Sequence, residues 1–86
     1  MDFKELKELY ISNNGMSDIN VLEKLDFKKL NTLYLNYNKI SDINVLEKVD
    51  FKELKELYLK NNKILLYKGN KSIINNLKLK FINVYV

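Results

Sequence analysis

Three stretches of this chain follow one frame, LxxLxLxxNxI: residues 6–16 (LKELYISNNGM), 30–40 (LNTLYLNYNKI) and 54–64 (LKELYLKNNKI), set 24 residues apart. This period constrains the fold before any other feature does. A unit so short has too little apolar surface to enclose a core, so successive units must stack and bury one another's faces. The copies are also close to identical: DFKELKELY stands at 2–10 and again at 50–58, and SDINVLEK at 17–24 and again at 41–48. Most positions therefore serve the scaffold, and the positions where copies differ carry the information about function.

Within the frame, Leu33, Tyr34 and Leu35 alternate apolar, amphipathic, apolar. That alternation predicts a short strand with its leucines inward and its tyrosine outward. Leu30 also points inward, because the chain turns between it and the strand. Asn38 follows as the strand ends, with Asn14 and Asn62 as its counterparts. A side-chain amide there can turn inward and pair the N–H and C=O groups that a buried bend leaves open, so the three asparagines are expected to form a structural ladder.

Between strands, Ile19, Leu22 and Leu25, then Ile43, Leu46 and Val49, recur at i, i+3 and i+6, one face of a 3₁₀ or short helical segment. Ser17 and Asp18, like Ser41 and Asp42, precede it as helix-start residues, a reading preferred to a calcium ladder through the two aspartates. Phe3, Phe27 and Phe51 precede each strand and are expected to stack as an inward aromatic column. The third copy breaks the pattern, with LLYKGNKS at 65–72 where SDINVLEK would stand. That change predicts loss of the helical segment, a bend at Gly69, and a core resumed by Ile73 and Ile74. A last strand is then expected through Leu79, Ile82 and Val84, one residue late in the frame. The chain divides into repeats 3–26, 27–50 and 51–74 and a partial terminal repeat 75–86, all in one domain, 1–86.

LxxLxLxxNxI is the mark of the leucine-rich repeat. Its continuation NxISDIxxL, from Asn38 through Ser41, Asp42 and Ile43 to Leu46, resembles the repeats of bacterial internalins and of the related phosphatase-regulator class. The 24-residue period exceeds the 22 usual there by two residues, around Asp26-Phe27 and Asp50-Phe51. The resemblance implies an α/β fold: a right-handed solenoid with a short parallel sheet of about four strands on its concave face and 3₁₀ or short helical segments on its convex face. It also implies that the concave face binds proteins.

Composition removes several alternatives. With no cysteine and no histidine, disulfides, thiol catalysis, Cys/His zinc sites and histidine acid–base chemistry are excluded, and no cofactor or metal is implied. Residues 1–59 hold nine lysines and eleven acids, whereas 60–86 hold six lysines and no acid, so the basic character belongs to the C-terminal third. Those six (Lys60, Lys63, Lys68, Lys71, Lys78, Lys80) suggest at most a weak, salt-sensitive contact with an acidic surface. Without arginine or a recognition motif, specific nucleic-acid readout is not expected. The start lacks a signal-peptide pattern and no apolar window is long enough to span a bilayer, so a native start at Met1 implies a cytoplasmic protein without membrane insertion.

On parallel strands the outward positions align at about 4.8 Å per step. Three columns result: Glu8, Thr32 and Glu56; Tyr10, Tyr34 and Tyr58; Ser12, Asn36 and Lys60, with Phe81, Asn83 and Tyr85 as extensions. Tyr37, at the strand exit, has only Asn13 and Asn61 as counterparts. A tyrosine stripe flanked by charge suits a protein partner, since tyrosine offers large area, little entropy loss and a polar tip. Identical tyrosines also stabilise a sheet simply by stacking. Thr32, Asn36 and Tyr37 are the better specificity candidates, because the middle repeat alone carries them. Glu8 and Glu56, about 10 Å apart, fall near the separation of an inverting carboxylate pair; two solvated glutamates from one duplicated sequence are the simpler reading. The expected function is non-enzymatic protein binding, with self-association through uncapped solenoid ends, as a homo-oligomer, the alternative. Asn70-Lys71-Ser72 matches a glycosylation sequon by chance pattern.

Overall fold

The computed structural model describes residues 3–81 and 83–86. In chain order the elements are β1 (Glu8–Tyr10), a 3₁₀ turn (Asn20–Lys24), β2 (Thr32–Tyr34), α1 (Val45–Lys48), β3 (Glu56–Tyr58), a second 3₁₀ turn (Ile64–Leu66), α2 (Gly69–Lys80) and β4 (Asn83–Tyr85). All four strands are parallel and neighbour one another in sequence order. Parallel neighbours require a crossover, and each is made by a helical segment. The result is an α/β solenoid of stacked coils.

The register is in step with the repeat. Leu9, Leu33, Leu57 and Val84 lie side by side, as do Tyr10, Tyr34, Tyr58 and Tyr85. Pairing continues past the strands, with Ile11 N–H donating to Tyr34 C=O (2.9 Å), Leu35 to Tyr58 (2.8 Å) and Tyr37 to Lys60 (3.0 Å). Leu33, Leu35, Ile40, Ile43, Leu46 and Leu57 are completely enclosed, because the coils they belong to are covered on both sides. Phe3, Leu6, Leu9 and Ile11 are only partly buried in the first coil, which has a described neighbour on one side alone. Phe3, Phe27 and Phe51 form the expected column, with ring centroids 5.5 and 5.3 Å apart.

The asparagine ladder forms with one residue reaching into two coils. Asn38 Oδ1 accepts from the N–H groups of Asn14 (3.0 Å) and Met16 (3.1 Å), while its Nδ2 donates to Ile11 C=O of the coil before and to Leu35 and Asn36 C=O of its own. Asn62 repeats this one step on, accepting from Ile40 N–H and donating to Leu35, Leu59 and Lys60 C=O. Asn14 belongs to the first coil and is exposed, and its side-chain Nδ2 donates within that coil, to Ser12 C=O. The amide thus satisfies backbone groups that the turn out of the strand would otherwise leave unpaired.

The identical octapeptides 17–24 and 41–48 adopt different helices, 3₁₀ in the first coil and α in the second. α1 packs against both the first 3₁₀ turn and α2, so Val45 is buried whereas its twin Val21 is half exposed. Asp18 and Asp42 make local turns just before the helical segments, their Oδ1 atoms accepting from the N–H of Asn20 (2.8 Å) and Asn44 (2.9 Å), while the N-cap positions themselves are Ile19 and Asn44.

Two expectations for the last coil are corrected. The helical segment is not lost but lengthened, into the 12-residue α2, which starts at Gly69 instead of bending there. Asn70, Ile73, Ile74 and Leu77 form its buried face at i, i+3, i+4 and i+7, a helical period that the short repeat pattern obscured. Leu79 consequently lies on the helix at 88% exposure and is no strand residue; Ile82 lies outside the described residues. Val84 pairs with Leu57 at an offset of 27 residues, because the 12-residue α2 takes up more chain than the five- and four-residue segments of the earlier coils.

Replacing Asn38 by alanine removes the partner of several backbone groups in two coils and is expected to cost about 2–4 kcal/mol, whereas Asn14→Ala should cost less than about 1 kcal/mol. Urea unfolding of the two variants checks the ordering.

Candidate functional site

The strands bring the tyrosines into one continuous stack. Ring centroids are 4.2 Å apart for Tyr10–Tyr34, 4.7 Å for Tyr34–Tyr58 and 4.7 Å for Tyr58–Tyr85, with planes within 16° of parallel. Each pair adds about 0.5–1.5 kcal/mol beyond its buried area. The faces of the inner rings are occupied by one another, so Tyr34 and Tyr58 offer a visitor their edges and hydroxyls. The stabilising role of the stripe is therefore met by the fold itself.

Beside the stack, Glu8 Oε2 accepts from the Tyr10 hydroxyl at 2.6 Å. That bond, with a further contribution from Tyr34, raises the Tyr10 phenol above its ordinary range. Tyr58 is raised as well, first by desolvation and then by the Glu56 carboxylate. Glu56 in turn receives Asn83 Nδ2 at 3.4 Å, and Asn83, not Phe81, extends the glutamate column. Tyr85 likewise continues the tyrosine column, while Phe81 turns into the core. Thr32 departs from the outward position expected of it: it is 7% exposed and its hydroxyl donates to Asn31 Oδ1 at 2.8 Å. The third column is held by Asn36, whose Oδ1 accepts from Lys60 N–H at 2.8 Å beside half-buried Ser12.

Tyr37 stands apart. Its φ is 57°, in the left-handed region, and the equivalent positions Asn13 and Asn61 have φ of 62° and 60°. The ladder turn demands this conformation in every coil. Asparagine tolerates it; a tyrosine side chain pays for it through crowding of its Cβ against the backbone. Tyr37 is nevertheless 58% exposed, so burial does not offset the strain. The asparagines at the equivalent positions, Asn13 and Asn61, are the sequence signal for this geometry.

Elsewhere, the carboxylates of Asp18 and Asp42 are taken up by the helix starts, and among the described residues no three Asp or Glu cluster as metal ligands would. Asn70 is buried, with Nδ2 donating to Ser41 C=O (2.6 Å) and Ile64 C=O (2.9 Å), so its amide is an internal clamp and not a glycan acceptor. Among the described residues no helix is long and apolar enough to cross a membrane.

Residues 4–48, just over half of the chain, match the family described as Leucine Rich repeats (2 copies). No curated protein and no solved structure matches the chain.

Because the Tyr10 phenol is raised above the ordinary value near 10, the folded state keeps its proton after the unfolded chain has lost it, and stability should fall as pH rises beyond about 10. Absorbance titration of the phenolate band should show a late-ionising component that moves to lower pH in Glu8→Gln.

Proposed function

Because the chain belongs to the leucine-rich repeat family, whose repeats commonly mediate protein–protein interaction, we propose that it is a non-enzymatic module binding a protein partner across the outer face of its sheet. The family is one of interaction domains and not of enzymes. Tyr37 carries the reading. An exposed aromatic held in the left-handed region at a position where both neighbouring coils place asparagine costs stability and gains no burial. Backbone strain retained in this way points to use by a ligand. Tyr37 N–H bonds Lys60 C=O, so its backbone is fixed next to the Asn36 and Lys60 column. Together with the hydroxyl edges of Tyr34 and Tyr58, and Glu8 and Glu56 on the far flank, these groups form a face with carboxylates along one side and a lysine on the other. A partner segment running along the strand direction would pass from the carboxylates to the lysine and meet both signs.

Tyr37→Asn separates function from folding. It should raise stability by about 0.5–1.5 kcal/mol, by relieving the left-handed strain, and abolish capture of the partner. Chemical denaturation measures the first effect, and affinity capture from an extract of the source organism measures the second. A stabilised variant that still captures the same protein excludes Tyr37 as the anchor. Tyr58→Phe, which keeps the stack and removes one hydroxyl, tests the edge of the tyrosine stack in the same assay.

Self-association is a second reading, and the strand order favours it. Among the described residues β1 and β4 each pair on one side only, and Tyr10 and Tyr85 end the ring stack with one face open. An unpaired parallel edge is a template for another strand, and a head-to-tail contact would continue the stack from one copy to the next. Light scattering on a sizing column, over a tenfold or greater range of concentration, should then show mass growing with concentration; a constant monomer mass rejects this reading.

A further inference from the structure

The departure of the third repeat from SDINVLEK leaves a second surface, away from the sheet. Where the earlier coils place a short polar segment, the chain here runs Leu65, Leu66, Tyr67 into α2, and all three side chains are exposed, Leu65 by 73%. Between the 3₁₀ turn and one flank of α2 lies a groove of about 360 Å³. Its apolar lining is Ile64, Leu65, Tyr67 and Ile74, and three lysines, Lys68, Lys71 and Lys78, border it. Asn75 completes that flank of the helix.

Among the described residues, none of these three lysines forms an ion pair with a carboxylate. No carboxylate side chain occurs from Lys60 to Val86. Asp42, which shares a neighbouring depression with Tyr67 and Asn70, has its carboxylate on Asn44 N–H. Lys80 is engaged elsewhere, bonding Val49 C=O at 2.9 Å and lying over the Phe81 ring. Neither of these roles involves Lys68, Lys71 or Lys78. Asn70 fixes the groove by tying the start of α2 to Ile64 and to the second coil.

We propose that this groove docks an acidic amphipathic segment of a partner protein, one leucine or aromatic side chain entering between Leu65 and Tyr67 while flanking carboxylates meet the lysines. Lys71 and Lys78 are two helical turns apart, about 10.5 Å along α2, which is the separation of residues i and i+7 on a partner helix. Leu65 and Tyr67 line a depression instead of crowning a flat face, which suits a protruding side chain better than a membrane plane. A nucleic-acid backbone would satisfy the lysines and leave the apolar lining wet. The surface is separate from the tyrosine face, and neither proposal depends on the other.

Selection of phage-displayed random dodecapeptides on the immobilised chain tests it, with the enriched peptides then mapped by amide chemical shifts. The expected result is enrichment of a leucine or aromatic residue between acidic residues, with shifts concentrated in residues 64–78. The double variant Lys71→Glu/Lys78→Glu should weaken binding at least about tenfold, since reversed rim charge repels the same peptide. Leu65→Glu should do the same, and circular dichroism should show both folded. Tyr37→Asn should leave the affinity unchanged. Three results overturn the proposal: failure to enrich acidic peptides, shifts that map to the sheet face, or preferential binding to vesicles of phosphatidylserine and phosphatidylcholine that the same lysine reversals abolish.

Discussion

The structure depends on the side-chain amide at the exit of each strand. A solenoid must turn its backbone sharply at every coil, and the turn faces a core too dry to hydrate the peptide groups exposed there. Asn38 and Asn62 resolve this by accepting from the backbone N–H groups of the preceding coil and donating to carbonyls on both sides. Each amide is bonded across the coil boundary, so the turns are stitched to one another as firmly as the strands are. Because the same turn holds the residue before the asparagine at positive φ, the ladder also dictates what can occupy positions 13, 37 and 61. The strain at Tyr37 is therefore a consequence of the ladder and not an isolated defect.

The first two coils were legible in the sequence because the repeat states the same instruction twice. The register of Leu9, Leu33 and Leu57, the phenylalanine column and the asparagine ladder all follow from a 24-residue interval. The last coil was not legible in that way, since the repeat itself was the guide and the chain stops obeying it at Leu65. There the buried face of α2, Ile73, Ile74 and Leu77, had to be found from helical period alone, with polar Asn70 as its first member. A buried asparagine clamped by two carbonyls reads in sequence like any surface asparagine.

The candidate site divides along the same line. Alternation put Tyr10, Tyr34 and Tyr58 on one face, and they stack there at 4.2–4.7 Å. Thr32 satisfied the same alternation and is nonetheless enclosed, because a short side chain between two glutamate-bearing strands sinks below its longer neighbours. What alternation cannot report is backbone handedness, so Tyr37 stood out in sequence only as a mismatch, and its φ supplies the physical meaning.

One octapeptide, SDINVLEK, folds as a 3₁₀ turn in one coil and as an α-helix in the next, according to what lies beside it. Such a segment behaves as an interchangeable tile. Duplication of a 24-residue block would insert a complete coil between existing ones, lengthening the aromatic column by one ring, and the neighbours would select the helix type of the newcomer. Length in a molecule of this kind can therefore change in whole coils through copying errors in the gene, while the terminal helix and its lysine-bordered groove are carried along unaltered.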